Sequence, residues 1–157
     1  MKNSKGKPLP EVLNRTHQKW YEMPATSLAD LAISVNPDKK MGVFLLPERT
    51  FVNQRLICLR RNDSVDKHLL HAVMNSVLGL FYIEAIGFGR GQGALDLSAT
   101  TIKDSLRVLD IRLLNDVQAS LILGKFEPIL RREIQDLPDE LTRDDRLSFD
   151  QAVWHPA

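Results

Sequence analysis

The apolar positions of this chain change period several times along its length, and each change marks an element. Residues 18–24, QKWYEMP, read as a short extended piece ended by Pro24. Thr26 or Ser27 is placed to cap a short helical turn through Leu31, with Asp30 in its first turn. Pro37-Asp38 marks a turn. Met41 to Leu46 is strand-like and stops at Pro47, and Phe51 to Arg60 gives a second strand with its apolar centre at Leu56 to Leu59. The short polar connection between these two strands predicts an antiparallel pair. Asp63 or Ser64 then caps the main helix, on which Leu70, Val73, Val77, Leu80 and Phe81 recur at helical spacing, with Asn75 and Ser76 as polar insertions. A glycine-rich loop ends that helix. Ser98 or Thr100 opens a short helix, and Arg107 to Ile111 reads as a strand. Asn115 opens a further helix marked by Val117, Leu121, Leu123 and Leu130, which Gly124 and Pro128 weaken. Beyond Glu133 the chain turns acidic and polar, and Leu141 to Val153 predicts a last helix capped by Thr142. The mixed order predicts an α+β fold: a small mixed sheet packed with several helices, and a long central helix running into the glycine loop. Residues 1–14 read as a flexible lead-in, and residues 15–157 as one domain.

The segment from Asn75 to Leu97, NSVLGLFYIEAIGFGRGQGALDL, is the most informative. Four glycines stand at alternate positions, Gly87, Gly89, Gly91 and Gly93. Such positions admit left-handed backbone and close approach of another surface, and if Gly91 has positive φ a β-branched residue there is strained. Between them lie Arg90 and Gln92, side chains suited to phosphates and base edges. The plain alternative is a surface loop whose glycines only shape a turn. Glu84, in the apolar segment before the loop, is placed to hold the loop through its N–H groups.

This segment resembles the C-terminal target-recognition region of adenine-specific DNA methyltransferases from restriction-modification systems, where an Asn-Ser … Glu … Gly … Gly-x-Gly-Ala-Leu stretch follows the catalytic domain. Lys19-Trp20-Tyr21-Glu22 is similar to the Trp-Tyr element that opens that region. Thr101-Ile102-Lys103-Asp104 stands where the family has a short helix start, and Asp145-Arg146-Leu147 with Asp150 resembles an Asp-Arg-Arg-x-Leu-Asp signature. Leu147 replaces the family's second arginine, and the family continues beyond the point where this chain stops. The resemblance covers about residues 15 to 153 and implies a truncated recognition region. It implies double-stranded DNA as ligand and a methyltransferase catalytic domain, in cis or in trans, as partner. S-adenosylmethionine belongs to that other domain, and no cofactor is expected in this chain.

Net charge is only +1, so the chain is not a globally basic nucleic-acid binder. Its distribution is uneven: residues 1–62 hold 11 Lys/Arg against 5 Asp/Glu, and residues 63–157 hold 10 against 15. Lys39, Lys40, Arg49, Arg55, Arg60 and Arg61 supply much of the early positive charge, which gains near a duplex through counterion release. An ordinary solvated face is the alternative. Asn53 and Gln54 carry amides able to pair adenine bidentately. The DNA-contacting set read from the sequence is therefore Arg90, Gln92, Gly91, Gly93, Asn53, Arg55, Arg60, Arg61, Lys39 and Lys40.

Other chemistry is thin. Gly89-x-Gly91-x-x-Ala94 fits a dinucleotide fingerprint, with Asp110 near the position of a ribose ligand, but that motif must follow a strand and open a helix. Trp20 and Tyr21 suit base stacking, though core packing is the commoner role of such residues. His68 and His71 lie one turn apart with Asp66 nearby, yet no convincing further ligand appears, so an exposed helix face is expected and no metal. The lone Cys58, in the run Leu56 to Leu59, is expected to be a buried, inert thiol. No apolar stretch has the length to span a membrane and no signal peptide is evident, which predicts a cytoplasmic protein. The Asp/Asn-Pro-Pro-aromatic tetrapeptide of adenine methyltransferases is missing; Asn36-Pro37-Asp38 is the nearest approach. The chain therefore reads as a non-catalytic DNA specificity module. The alternatives are a protein-interaction or scaffold domain of the same system and, further off, a small nucleotide-binding enzyme.

Overall fold

A computed structural model describes residues 4–8, 28–89, 91 and 95–155. The fold is α+β, with six α-helices and two small antiparallel sheets among the described residues. The larger sheet has three strands, β1 (Leu28–Ser34), β2 (Val43–Phe51) and β3 (Leu56–Leu59), in the order β2-β1-β3. Both ladders on β1 are antiparallel, so the sheet is not mixed.

The central strand corrects the sequence reading, which put a helical turn at residues 26–31. Leu-Ala-Asp-Leu-Ala is compatible with helix, but Ala29 to Ile33 are all buried between two neighbours, and that packing overrides weak local preference. It also separates β2 from β3, which the sequence paired directly. Asp30, 4% exposed, ties the three strands together. It accepts from Arg49 Nε on β2 at 2.9 Å and from the Arg61 N–H beyond β3 at 3.1 Å. The register slips between Ala29 and Leu31. Pro47, expected to end β2, sits in the strand opposite this bulge, where a missing ladder donor costs little. Cys58 corrects another expectation. Its neighbour Ile57 faces the core, so strand alternation turns the thiol outward and leaves it exposed.

The expected single central helix is two helices, α1 (Lys67–Met74) and α2 (Val77–Ala85). Asp66, not Asp63 or Ser64, caps α1 by accepting from Leu69 N. Asn75 stops it, and Ser76 caps α2 by accepting from Gly79 N. Gly79 permits the break, because a Cβ there would lie 2.4 Å from the Met74 carbonyl oxygen. After α2 comes the hairpin β4 (Phe88–Gly89) and β5 (Leu95–Asp96), then α3 (Ala99–Ser105) capped by Ser98. Arg107 to Ile111 forms no strand; a 3-10 turn covers Ile111–Leu113. Helix α4 (Asp116–Leu130) opens with a reciprocal cap between Asn115 and Gln118. It buries Ile122, Phe126 and Ile129, while Val117, Leu121 and Leu130, expected as its inner face, are exposed. Helix α5 (Leu137–Glu140) precedes α6 (Asp144–Trp154). Thr142, expected to cap α6, instead donates to the Asp139 carbonyl at 2.9 Å.

Two apolar clusters meet at α1. One joins Leu31, Ile33, Val43 and Ile57 of the sheet to Met74, Leu80 and Ile83. The other joins Leu69 and Val73 to Ile122, Phe126, Ile129 and Phe149 of α4 and α6.

Candidate nucleic-acid interface

Val35, the residue after β1, brings two of the sequence candidates to one place. Its N–H donates to the Arg55 carbonyl at 2.9 Å, and its carbonyl accepts from Leu97 N at 2.8 Å. The amide of Asn36 donates to the Asp96 carboxylate on β5. The turn before β3 and the base of the glycine hairpin thus lie on either side of Val35. Asn53 shapes the turn: its Oδ1 accepts from Arg55 N at 2.6 Å and its carbonyl from Leu56 N at 2.9 Å. This is an Asx turn, which engages the acceptor that adenine pairing would use. Asn53, Gln54 and Arg55 are all exposed.

In the hairpin, Phe88 pairs with Asp96 and Gly89 with Leu95. Gly91 has φ +87°, a left-handed conformation of the kind alternate glycines admit, and is exposed. At Gly87 a Cβ would meet Leu95 Cδ1 at 2.4 Å, so that side chain would have to move aside. Arg90, Gln92 and Gly93 lie outside the described residues, as do Trp20 and Tyr21. Glu84 is exposed, and it is its main-chain carbonyl that accepts from Gly87 N at 3.0 Å. The dinucleotide pattern lacks its context: Gly89 and Leu95 are hairpin partners, and the next helix starts only at Ala99. Asp110 is held by Arg112 and caps the 3-10 turn.

The remaining basic candidates are elsewhere and mostly paired. Lys40 Nζ lies 2.7 Å from Glu133 and Lys39 Nζ 3.9 Å from Asp136. Arg49 bridges Asp30 and Asp63. The Arg61 guanidinium donates to the carbonyls of Asn62, Asp63 and Val65. Burial pushes the Asp30 carboxyl up, but the hydrogen bonds from Arg49 and Arg61 outweigh it and hold it below its ordinary value. Arg60 is exposed just past β3. The described candidates therefore divide into Asn53, Arg55 and Gly91, around Val35 or on the hairpin beside it, and Lys39, Lys40, Arg60 and Arg61, engaged in or adjoining ion pairs and main-chain bonds.

The sequence reading missed a buried polar cluster. His71, expected on an exposed helix face, and Asn75, a polar insertion in the helix, both turn inward. Asn75 Nδ2 donates to the carbonyls of Val43 and His71, each at 2.9 Å, and its Oδ1 accepts from Val43 N at 3.0 Å. It behaves as an extra strand partner for the start of β2. His71 Nε2 lies 2.9 Å from the Val43 carbonyl, so it is the protonated nitrogen, and burial holds its pKa below the ordinary histidine value. Around them, Arg132 grips both Glu140 oxygens at 2.7 and 2.8 Å and Asp145 at 2.6 Å. Arg146 donates to the Asn75 carbonyl, and Asp150 accepts from Val77 N at 2.8 Å. Both ends of the α1–α2 break are thus held by α6. The only sequence signal was Asn75-Ser76 inside an apolar face and the Asp-Arg…Asp spacing of α6.

The chain matches no protein-family model, no curated protein and no solved structure. Among the described residues no group of three or more His, Cys, Asp or Glu side chains is placed to hold a metal ion. No helix of the described residues is long and apolar enough to cross a membrane.

Proposed function

We propose that this chain is a DNA target-recognition module of a restriction-modification DNA methyltransferase, acting in the cytoplasm and non-catalytic by itself. The observation that carries the reading is the juxtaposition at Val35: the exposed Asn53–Arg55 turn and the hairpin bearing Arg90 and Gln92 share one main-chain residue as their anchor. Phosphate contacts from Arg55 and Arg90 position the duplex, and the amide of Gln92 is suited to a base edge. Lys39, Lys40 and Arg61 contribute less than their charge suggests, because contact with phosphate requires giving up a carboxylate or carbonyl partner. The methyl donor, S-adenosylmethionine, and the reacting groups belong to a partner catalytic domain.

The scaffold reading is favoured by a different observation. Tyr82, Val108, Leu109 and Trp154 line a groove of about 310 Å3 and are each exposed. That face suits packing against the catalytic domain and is compatible with DNA contact at the Val35 edge.

The test is a gel-shift titration on duplex DNA over a range of salt. Arg55→Ala and the Arg90→Ala plus Gln92→Ala variant are expected to weaken binding. Each lost phosphate contact lowers the slope of log affinity against log salt by about 0.9. Lys39→Ala is expected to leave both quantities nearly unchanged. Absence of binding at low salt, or losses confined to Lys39 and Lys40, overturns the assignment.

A further inference from the structure

Arg107 stands apart from the other arginines of the helical half. Arg112, Arg131, Arg132, Arg143 and Arg146 each face a carboxylate. Arg107 is exposed, and among the described residues its guanidinium bonds only the carbonyls of Asp104 and Leu106, both from Nη1, at 3.3 and 3.2 Å. Its Nε and Nη2 hydrogens are left over. Together they form one edge of the guanidinium fork, the edge that meets both oxygens of a carboxylate.

Arg107 is also the one charged side chain, among the described residues, that lines the groove of about 310 Å3 between α2, the end of α6 and the chain that follows α3. Val73, Gly79 and Val153 lie buried at its floor. Ser76 is there too, but its hydroxyl is engaged by the Val73 carbonyl and the Gly79 N–H. Tyr82 and Trp154 stand half exposed in its walls. The acids of the flanking elements are turned to other partners. Asp110 is held by Arg112, and Asp150 accepts from Val77 N beside Arg146. Asp104 gives Arg107 its carbonyl, and neither its carboxylate nor that of Glu84 lines the groove. The charge of Arg107 is therefore uncompensated at an apolar slot.

These features select a ligand. Small-molecule sites run from roughly 300 to 1,000 Å3, and this groove is at the small end. Aromatic walls over an apolar floor favour a flat ring. One unpaired guanidinium matches one negative charge, whereas a phosphate dianion would keep a second charge without a partner.

We propose that the groove binds a small aromatic carboxylate, its ring against Tyr82 and Trp154 and its carboxylate on Arg107. The site shares no residue with the Val35 edge and does not depend on the DNA reading. The test is titration of the isotope-labelled full chain with 2-naphthoate and with its uncharged counterpart 2-naphthamide, followed by amide chemical shifts. Naphthoate is expected to give saturable shifts centred on Gly79, Tyr82, Val108 and Leu109, and naphthamide to bind about tenfold more weakly. Arg107→Gln is expected to bring naphthoate down to the level of naphthamide and to leave naphthamide unchanged, in a spectrum that stays that of a folded chain. The comparison of the two ligands on the unaltered chain decides the matter even if that variant unfolds. No saturable naphthoate shift, shifts centred away from the groove, naphthamide binding as well as naphthoate, or undiminished naphthoate binding by folded Arg107→Gln overturns the proposal.

Discussion

In the helical half of the molecule Arg132, Glu140, Asp145, Arg146 and Asp150 are packed into one network, whereas at the sheet edge Asn53 and Arg55 stand exposed beside the glycine hairpin. Arginine serves in both. In the first, charge fixes how α6 meets the α1–α2 break. In the second, main-chain bonds and the Asn53 side chain fix the backbone and leave Arg55 to solvent. Charge that holds the architecture is not available to a ligand, and charge that is available to a ligand holds little of the architecture.

The sharpest way to break that distinction is to remove an arginine from the network. Arg132→Met leaves Glu140, whose side chain is 2% exposed, without its main partner. Loss of one member of a buried pair costs about 3–5 kcal/mol. Urea denaturation is expected to show a loss of that size, and a loss below about 1 kcal/mol would mean that the network is ornamental. Gly79→Ala comes next. Its Cβ would press on the Met74 carbonyl, and overpacking of this kind costs about 1–3 kcal/mol. The helix break must shift to relieve it, which the same denaturation experiment detects.

Acid sharpens the comparison further. Hydrogen bonds from Arg132 hold the Asp145 carboxyl below its ordinary range. Burial pushes Glu140 up, but Arg132 and the Gln135 N–H outweigh that and hold it down too. A depressed carboxyl contributes stability above its unfolded pKa and loses it as pH falls through the folded one. The urea midpoint is therefore expected to fall as the medium is acidified below about pH 4. Asp150 runs the other way. Burial raises its pKa despite the Val77 N–H and Arg146, so the folded form takes its proton first and gains stability as pH falls through the raised value. Asp150→Asn is expected to steepen the acid loss and Arg132→Met to flatten it. Parallel profiles for all three proteins would separate acid sensitivity from this network.

The smallest effect concerns Cys58. Its thiol is exposed on β3, so a disulfide reagent is expected to titrate it in the native protein without a change in circular dichroism. Titration that waits for denaturant would place it in the core after all.

Much of this was legible beforehand, and the failures share a cause. Caps at Ser98 and Asn115 were readable because the cap acts on residues two or three positions away. Central strand β1 was not, because Leu-Ala-Asp-Leu-Ala carries no strong preference and becomes a strand only between β2 and β3. The inner face of α4 was misjudged because Leu121 and Leu130 are as apolar as Ile122 and Ile129, and the positions of α1 and α6 decide which is covered. The pairing of Lys40 with Glu133, 93 residues apart, left no trace in either segment. Nor did the meeting of Arg55 with Leu97 across Val35, on which the interface depends.

The bond from Val77 N to Asp150 has a consequence for how the chain is made. The two residues are 73 positions apart, so the amide that opens α2 waits for its acceptor until α6 has left the ribosome. Until then α2 and the hairpin it leads into hang on the sheet without their clamp, with Arg146 likewise not yet bound to Asn75. Closing so long a loop comes late and slowly. A ribosome stalled before residue 146 would therefore carry a nascent chain whose edge around Val35 is assembled on a loose hinge, and pulsed proteolysis of such stalled chains would find the Asn75–Val77 junction open to cleavage until α6 arrives.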